Sequence, residues 1–285
     1  MTSLGDGTHL VLPGGVVGRR HAVEGAARAD GAAVHLAVAE VGDPGAPAVV
    51  LAHGVGSSAR FVAAACAAPL GAAGWRLVTY DARGHGGSTP CPDRVDHGLD
   101  AYAADLAAVV AGSAGVAAVG GVSLGGHAAI RWRGGLPRVV CLPAWQGRAA
   151  PGEGPHAYVA AEVRRVGVAA VTARLRADTT MPTWLRDTLV TDYTRHDADS
   201  LAAALLALDG GEAPSCDEVA ELRVPVGVVA WRGDPGHPFP VAEELVSSAR
   251  TATLTELAMD DLEVSLTRFG DAVVTALRSL GLTSG

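Results

Sequence analysis

Short apolar runs bounded by Gly and Pro recur along the chain, separated by stretches with helical spacing. Ala33–Val41, Ala48–Ala52, Arg76–Tyr80, Val116–Val122 and Val139–Leu142 read as strands. Runs of this kind suit strands buried on both faces. Arg60–Ala73, Leu99–Ala111 and Leu124–Arg133 read as helices between them. This alternation predicts an α/β fold, with a mostly parallel central sheet flanked by helices. Between residues 148 and 217 strand character is lost, and only helical stretches remain at Ala157–Arg165, Pro182–Tyr193 and Ser200–Leu208. Strands resume at Pro225–Trp231 and Thr253–Leu257, with helices at Val241–Arg250 and Leu262–Leu280. The pattern therefore predicts a core of residues 1–147 and 218–285, interrupted by a helical lid at 148–217. The Gly-rich residues before about 30 read as irregular, apart from a short strand around Leu10–Leu12.

Composition narrows the chemistry. The 285 residues are 49% hydrophobic and carry a formal net charge of -8 with no basic cluster, which argues against nucleic acid and anionic membrane surfaces as partners. All 22 basic residues are Arg. Without Lys there is no Schiff-base enzyme, no P-loop lysine and no Ser-Lys dyad. Cys66, Cys91, Cys141 and Cys216 lie far apart, which is neither a zinc framework nor a disulfide scaffold. No dinucleotide fingerprint or metal cluster is present, so no cofactor and no metal are expected. Nor is there a leader-like N-terminus or a long apolar span, so the expected location is cytoplasmic.

One pentapeptide stands where chemistry is expected. Gly121-Val122-Ser123-Leu124-Gly125 joins a strand to a helix. A serine on such a turn has strained backbone angles and projects clear of the sheet, at a helix N-terminus that favours developing negative charge. Independently, the strand Ala48–Ala52 ends in His53-Gly54-Val55-Gly56-Ser57-Ser58. The N–H groups of Val55 and Leu124 are candidates to bind the oxygen of a tetrahedral intermediate.

These blocks resemble the α/β-hydrolase superfamily from about Ala33 to the C-terminus. His53-Gly54 is similar to its oxyanion loop, and Asp81-Ala82-Arg83-Gly84-His85-Gly86-Gly87-Ser88 to its D-x-R-G-x-G-x-S block. Ser123 matches the nucleophile, and Arg232-Gly233-Asp234 looks like the segment supplying the acid. The resemblance implies an α/β-hydrolase fold, Ser123 as nucleophile and Asp234 as acid. It also implies a His in the loop after the last strand. Here that loop reads Leu257-Ala258-Met259-Asp260-Asp261-Leu262 and contains none.

A serine hydroxyl needs a base. Three sources remain open: His237, oriented by Asp234, Asp260 or Asp261; Asp260 or Asp261 itself, if burial raises its pKa; or a recruited His127, His156 or His196. His53 and His85 lie in loops near the site, where their commoner role is structural. Trp145 ends a strand ahead of the lid and is placed to reach the pocket, while Tyr158, Met181, Trp184 and Tyr193 are candidates for an apolar wall. The expected reaction is hydrolysis or acyl transfer on a small-molecule ester, lactone, amide or thioester. A non-hydrolytic cyclase or lyase on the same fold, or a silent ligand-binding member, are the rivals. The sequence leaves the oligomeric state open.

Overall fold

The computed structural model describes residues 8–11, 17–147 and 155–284. In chain order the elements are β1 Thr8–Val11, β2 Val17–Glu24, β3 His35–Val41, β4 Ala48–Ala52, α1 Ala59–Ala72, β5 Arg76–Tyr80, α2 Leu99–Ala111, β6 Val116–Val122, α3 Leu124–Arg131 and β7 Arg138–Cys141. A helical insertion follows: α4 Pro155–Ala177, α5 Thr183–Tyr193, α6 Ala198–Leu208 and α7 Cys216–Glu221. The chain closes with β8 Val226–Ala230, α8 Phe239–Ser248, β9 Ala252–Glu256, α9 Asp261–Val264 and α10 Thr267–Ser279. The strands form one sheet in the order β1-β2-β3-β5-β4-β6-β7-β8-β9. From β5 to β9 every pairing is parallel, and β1, β2 and β3 add an antiparallel edge.

The apolar strands are runs rather than alternations because both faces are covered. Val49 and Leu51 of β4 face α1 and α10, in a core with Leu77, Cys141, Val229 and Phe269. Ala48, Val50 and Ala52 of the same strand face α2 and α3, with Val78, Tyr80, Leu106 and Val119. The period of two thus sends successive residues into different cores. On the second face, Val226, Val228 and Ala230 of β8 pack with Phe239 and Leu245 of α8.

Three departures from the sequence reading have physical causes. Residues 17–24 form a strand, β2, where an irregular stretch was expected. Arg19, Arg20 and Glu24 are exposed and polar, and the strand is defined by its ladders with β1 and β3. The expected strand at Leu10–Leu12 corresponds to β1, with Leu12 outside the described residues. The single helix expected over Leu262–Leu280 is broken at Ser265, whose extended backbone (φ -164°, ψ 133°) separates α9 from α10. The short helix α7 has no counterpart among the predicted stretches, and Ser215 and Glu218 start it with a reciprocal capping box.

The insertion between β7 and β8 holds no strand among its described residues, while 148–154 lie outside them. Its helices share a core of Ala160, Val163, Val171, Tyr193, Leu201 and Leu205. Gly167 (φ 80°, ψ 160°) kinks α4. No helix of the described residues is long and apolar enough to cross a membrane.

Candidate active site

β6 runs directly into α3 through Ser123, whose φ is 52° and ψ is -115°. A non-Gly residue in such a region costs on the order of 1–3 kcal/mol, so it persists only where its surroundings fix it. Ser123 N–H donates to Cys141 O at 2.8 Å, and Ser123 O accepts from His127 N–H at 3.0 Å. The flanking glycines are sterically required. A Cβ on Gly121 would lie 2.6 Å from Ala52 O, and one on Gly125 would lie 2.5 Å from the same oxygen. The turn is therefore wedged between β4 and α3, with the partly exposed serine at the C-terminal edge of the parallel sheet.

The loop after β4 closes on the elbow. A Cβ on Gly54 would sit 3.3 Å from Ser123 Cβ. The next N–H, that of Val55, has no backbone acceptor among the described residues, and neither has the N–H of Leu124. These two uncommitted donors are the N–H groups that the sequence nominates for an oxyanion, beside a strained serine.

His53, His85 and His196 are buried and form a chain of rings with centroids 5.1 and 5.0 Å apart. Their nitrogens are occupied. His53 Nε2 accepts from Ala82 N–H at 2.9 Å, and His53 Nδ1 bonds Gly54 O at 2.7 Å. His85 Nε2 accepts from Gly56 N–H, while its Nδ1 bonds Arg83 O. His196 bonds Gly86 N–H and Gly56 O. Burial lowers the pKa of all three, and mutual repulsion adds to it for His85 and His196. These imidazoles are neutral structural links, and His196 is not a recruited base. Arg83 and Asp105 form a buried bidentate pair at 2.7 Å behind the same loop.

On the other side of the elbow, Asp234 and His237 form a dyad after β8. His237 Nδ1 bonds Asp234 Oδ2 at 2.7 Å, and Trp231 Nε1 donates to the same oxygen at 2.9 Å. Gly236 N–H donates to Asp234 Oδ1 at 2.8 Å, closing the turn that folds His237 back onto the carboxylate. Burial acts to raise the Asp234 pKa. The hydrogen bond and charge of His237, with the Trp231 and Gly236 donors, outweigh it and hold the group well below the usual carboxylate range. His127, one helical turn beyond Ser123, is buried and feels His237: burial first, then that charge, pulls its pKa down to about 3. His156 at the start of α4 is lowered by the same two causes. His237 is thus felt electrostatically by both the elbow helix and the first helix of the insertion. Among the described residues no hydrogen bond joins Ser123 Oγ to an imidazole.

The remaining candidates fall as follows. Asp260 and Asp261 are exposed at the N-terminus of α9, and Asp261 accepts from Ala258 N–H. Neither has the burial that a carboxylate base would need. Trp145 packs edge-on against His127 at 5.2 Å, beside the core that holds Leu124 and Val55. His127 Nδ1 and Trp145 Nε1 are both buried without a partner. Tyr158, expected in an apolar wall, is instead 69% exposed. Trp184 packs on Trp231, and Tyr193 lies against Gly56, while Met181 is half-buried. A cleft of about 540 Å³ runs along the far side of Leu124, bordered by Arg94, Asp100, Arg131 and Glu212. Ser123 is not in its wall, so it borders the elbow without opening on the nucleophile. Sequence reasoning missed Leu142, a second strained residue (φ 53°) at the end of β7, whose N–H bonds Val229 O. No group of His, Cys, Asp and Glu able to hold a metal occurs among the described residues.

The family model described as "Alpha/beta hydrolase family" matches residues 49–263. No curated protein matches the sequence. Among solved structures, the chain is similar to a thermophilic esterase from Thermogutta terrifontis, with 20% identity, 92% of this chain and 99% of that chain covered, and a TM-score of 0.70. It is similar to an enol-lactonase from Burkholderia xenovorans, with 20% identity, coverage of 86% and 97%, and a TM-score of 0.70. A bromoperoxidase from Bacillus anthracis aligns at 15% identity, with coverage of 91% and 99% and a TM-score of 0.71. At these identities the structural likeness concerns the fold.

Proposed function

The chain belongs to the alpha/beta hydrolase family, and from that premise we propose that it is a serine hydrolase acting on a small ester or lactone. The observation that carries this reading is the elbow itself: a strained Ser123 beside the N–H groups of Val55 and Leu124, which have no backbone acceptor among the described residues. Ester and lactone substrates are favoured by the esterase and the enol-lactonase that share the fold.

In this mechanism Ser123 Oγ attacks the acyl carbon and its proton passes to His237 Nε2, the ring nitrogen left free by the bond to Asp234. Asp234 fixes the ring's tautomer and stabilises the imidazolium, and its depressed pKa keeps it ionised for that role. Val55 and Leu124 donate to the oxyanion. His237 returns its proton to the departing alkoxide, leaving an acyl-Ser123 ester. Water, deprotonated by His237, then attacks that ester and releases the acid. An alcohol or amine in place of the water would give acyl transfer. The helical insertion serves as a lid in this reading, its α5–α6 corner bonded to the loop that carries Val55.

Hydrolysis of short p-nitrophenyl esters by wild type, Ser123→Ala and His237→Ala, with fluorophosphonate labelling followed by intact mass, tests this reading. Ser123→Ala abolishes labelling, and His237→Ala lowers kcat by roughly 10²–10⁴-fold, the usual worth of a general base. An unlabelled wild-type protein would refute it. A second reading is favoured by the finding that, among the described residues, no imidazole bonds Ser123 Oγ: non-hydrolytic catalysis in the same pocket, using the oxyanion donors alone. Turnover of a substrate that survives Ser123→Ala would select that alternative.

A further inference from the structure

The loop that carries Val55 is held largely by side chains from the helical insertion. Asp192, in the last turn of α5 and fully buried, accepts from Ser58 Oγ at 2.8 Å and from Ser57 Oγ at 3.1 Å. His196, at the corner between α5 and α6, spans two loops. Its Nε2 donates to Gly56 O at 3.0 Å, and its Nδ1 accepts from Gly86 N–H at 2.9 Å. Between these residues, the Tyr193 ring lies over Gly56 so closely that a Cβ there would be 2.8 Å from Cε1. Gly56 also has a φ of 70°, which favours glycine for a second reason. The other polar group of Gly56, its N–H, is taken by His85 Nε2 at 3.1 Å. Val55 packs at once against the core that contains Leu124 and against the insertion core that contains Tyr193.

We infer that the corner formed by Asp192, Tyr193 and His196 positions the oxyanion loop, so that the insertion sets the aim of the Val55 N–H. This rests on the serine-hydrolase reading. Asp192 and His196 are positioning residues, acting through Gly56, Ser57 and Ser58. An oxyanion donor works by being fixed before charge develops, and a small misplacement costs rate rather than ground-state affinity. Loosening this corner therefore lowers kcat and leaves KM nearly unchanged. Among the described residues nothing else from the insertion bonds residues 54–58.

The test uses the full chain with Asp192→Ala, Asp192→Asn, His196→Ala and His196→Gln. It reads p-nitrophenyl butyrate kinetics, fluorophosphonate labelling of Ser123, and amide exchange of residues 53–58 by mass spectrometry. The expected loss of kcat in D192A and H196A is about 10- to 100-fold, with KM within about threefold of wild type. D192N recovers most of the rate, because the Asn carbonyl still accepts from a serine hydroxyl. Exchange over 53–58 rises in D192A while β4 and β6 stay protected, which shows that the fold stands. A raised KM with kcat intact would overturn the inference, as would unchanged exchange over 53–58. Should wild type neither turn over nor label, the serine-hydrolase reading fails with the catalytic part of this role. The exchange comparison then still decides whether the corner holds the loop.

Discussion

Replacing His127 with Gln should flatten the acid side of the stability profile by a calculable amount. The ring is fully buried beneath the elbow, with Nε2 near Ala144 N–H (3.4 Å) and Nδ1 unpartnered. Its ordinary pKa of 6.5 is brought down to about 3, by burial first and by the His237 charge second. Below pH 6.5 the unfolded chain takes up a proton that the folded chain refuses, so stability is lost as pH falls through the window toward 3. Each pH unit inside the window costs about 1.4 kcal/mol, so a fall from about pH 7.5 to about pH 5 removes about 2 kcal/mol through this one group. His53, His85 and His196 push in the same direction, since their pKa values are also lowered. The glutamine side chain of H127Q keeps an acceptor for the Ala144 N–H and carries no titration. Urea unfolding of both proteins across this range, extrapolated to water, gives the comparison. The stability difference between wild type and H127Q should narrow, or reverse in the variant's favour, by about 2 kcal/mol on acidification. A difference that stays constant within about 0.5 kcal/mol would refute the reasoning, because it would mean that the folded ring titrates as the unfolded one does.

Further outcomes follow from the same geometry. Gly125→Ala places a methyl 2.5 Å from Ala52 O; the forced shift of β4 against α3 should destabilise by about 1–3 kcal/mol in urea unfolding and slow fluorophosphonate labelling of Ser123. Asp105→Ala strands the Arg83 guanidinium, which is only 1% exposed, and should cost about 3–5 kcal/mol by the same measurement, since a buried charge loses its partner. Asp234→Asn removes the anion that orients His237. Esterase kcat should fall by about 10³–10⁴-fold while thermal stability changes little, as expected for a wrong tautomer rather than a lost contact.

The central sheet was legible because burial on both faces leaves no polar alternation to confuse the pattern. β4 and β6 begin and end where the apolar runs do, with Pro47 and Gly115 just ahead of them, and β5 keeps to the stretch read for it, Arg76–Tyr80. β2 was illegible for the opposite reason. Its residues Arg19, Arg20 and His21 interrupt any apolar alternation, and the strand is held by its ladders with β1 and β3. The break at Ser265 was masked by helix-forming residues on both sides. Its local signal is the Ser265 hydroxyl, which accepts from Thr267 N–H and bonds Thr267 Oγ1.

At the site, local motifs could be read and long-range ones could not. The elbow and the loop at His53 each lie within a few residues, so their chemistry survives in the one-dimensional pattern. The dyad is equally local, since Asp234 accepts from Gly236 N–H and thereby turns the chain until His237 reaches its other oxygen. The imidazole is therefore oriented by its carboxylate within one turn of chain. In the loop after β9 stand Asp260 and Asp261, both exposed and neither suited to the base's role. The anchoring of the oxyanion loop is the contrary case. Asp192 lies 134 positions from Ser58, and His196 lies 140 from Gly56. No spacing rule links such residues, and each taken alone reads as an ordinary helix-end polar residue. Only the packing of the insertion onto the loop joins them, so the positioning proposed for the Val55 N–H draws on the most sequence-opaque part of the chain.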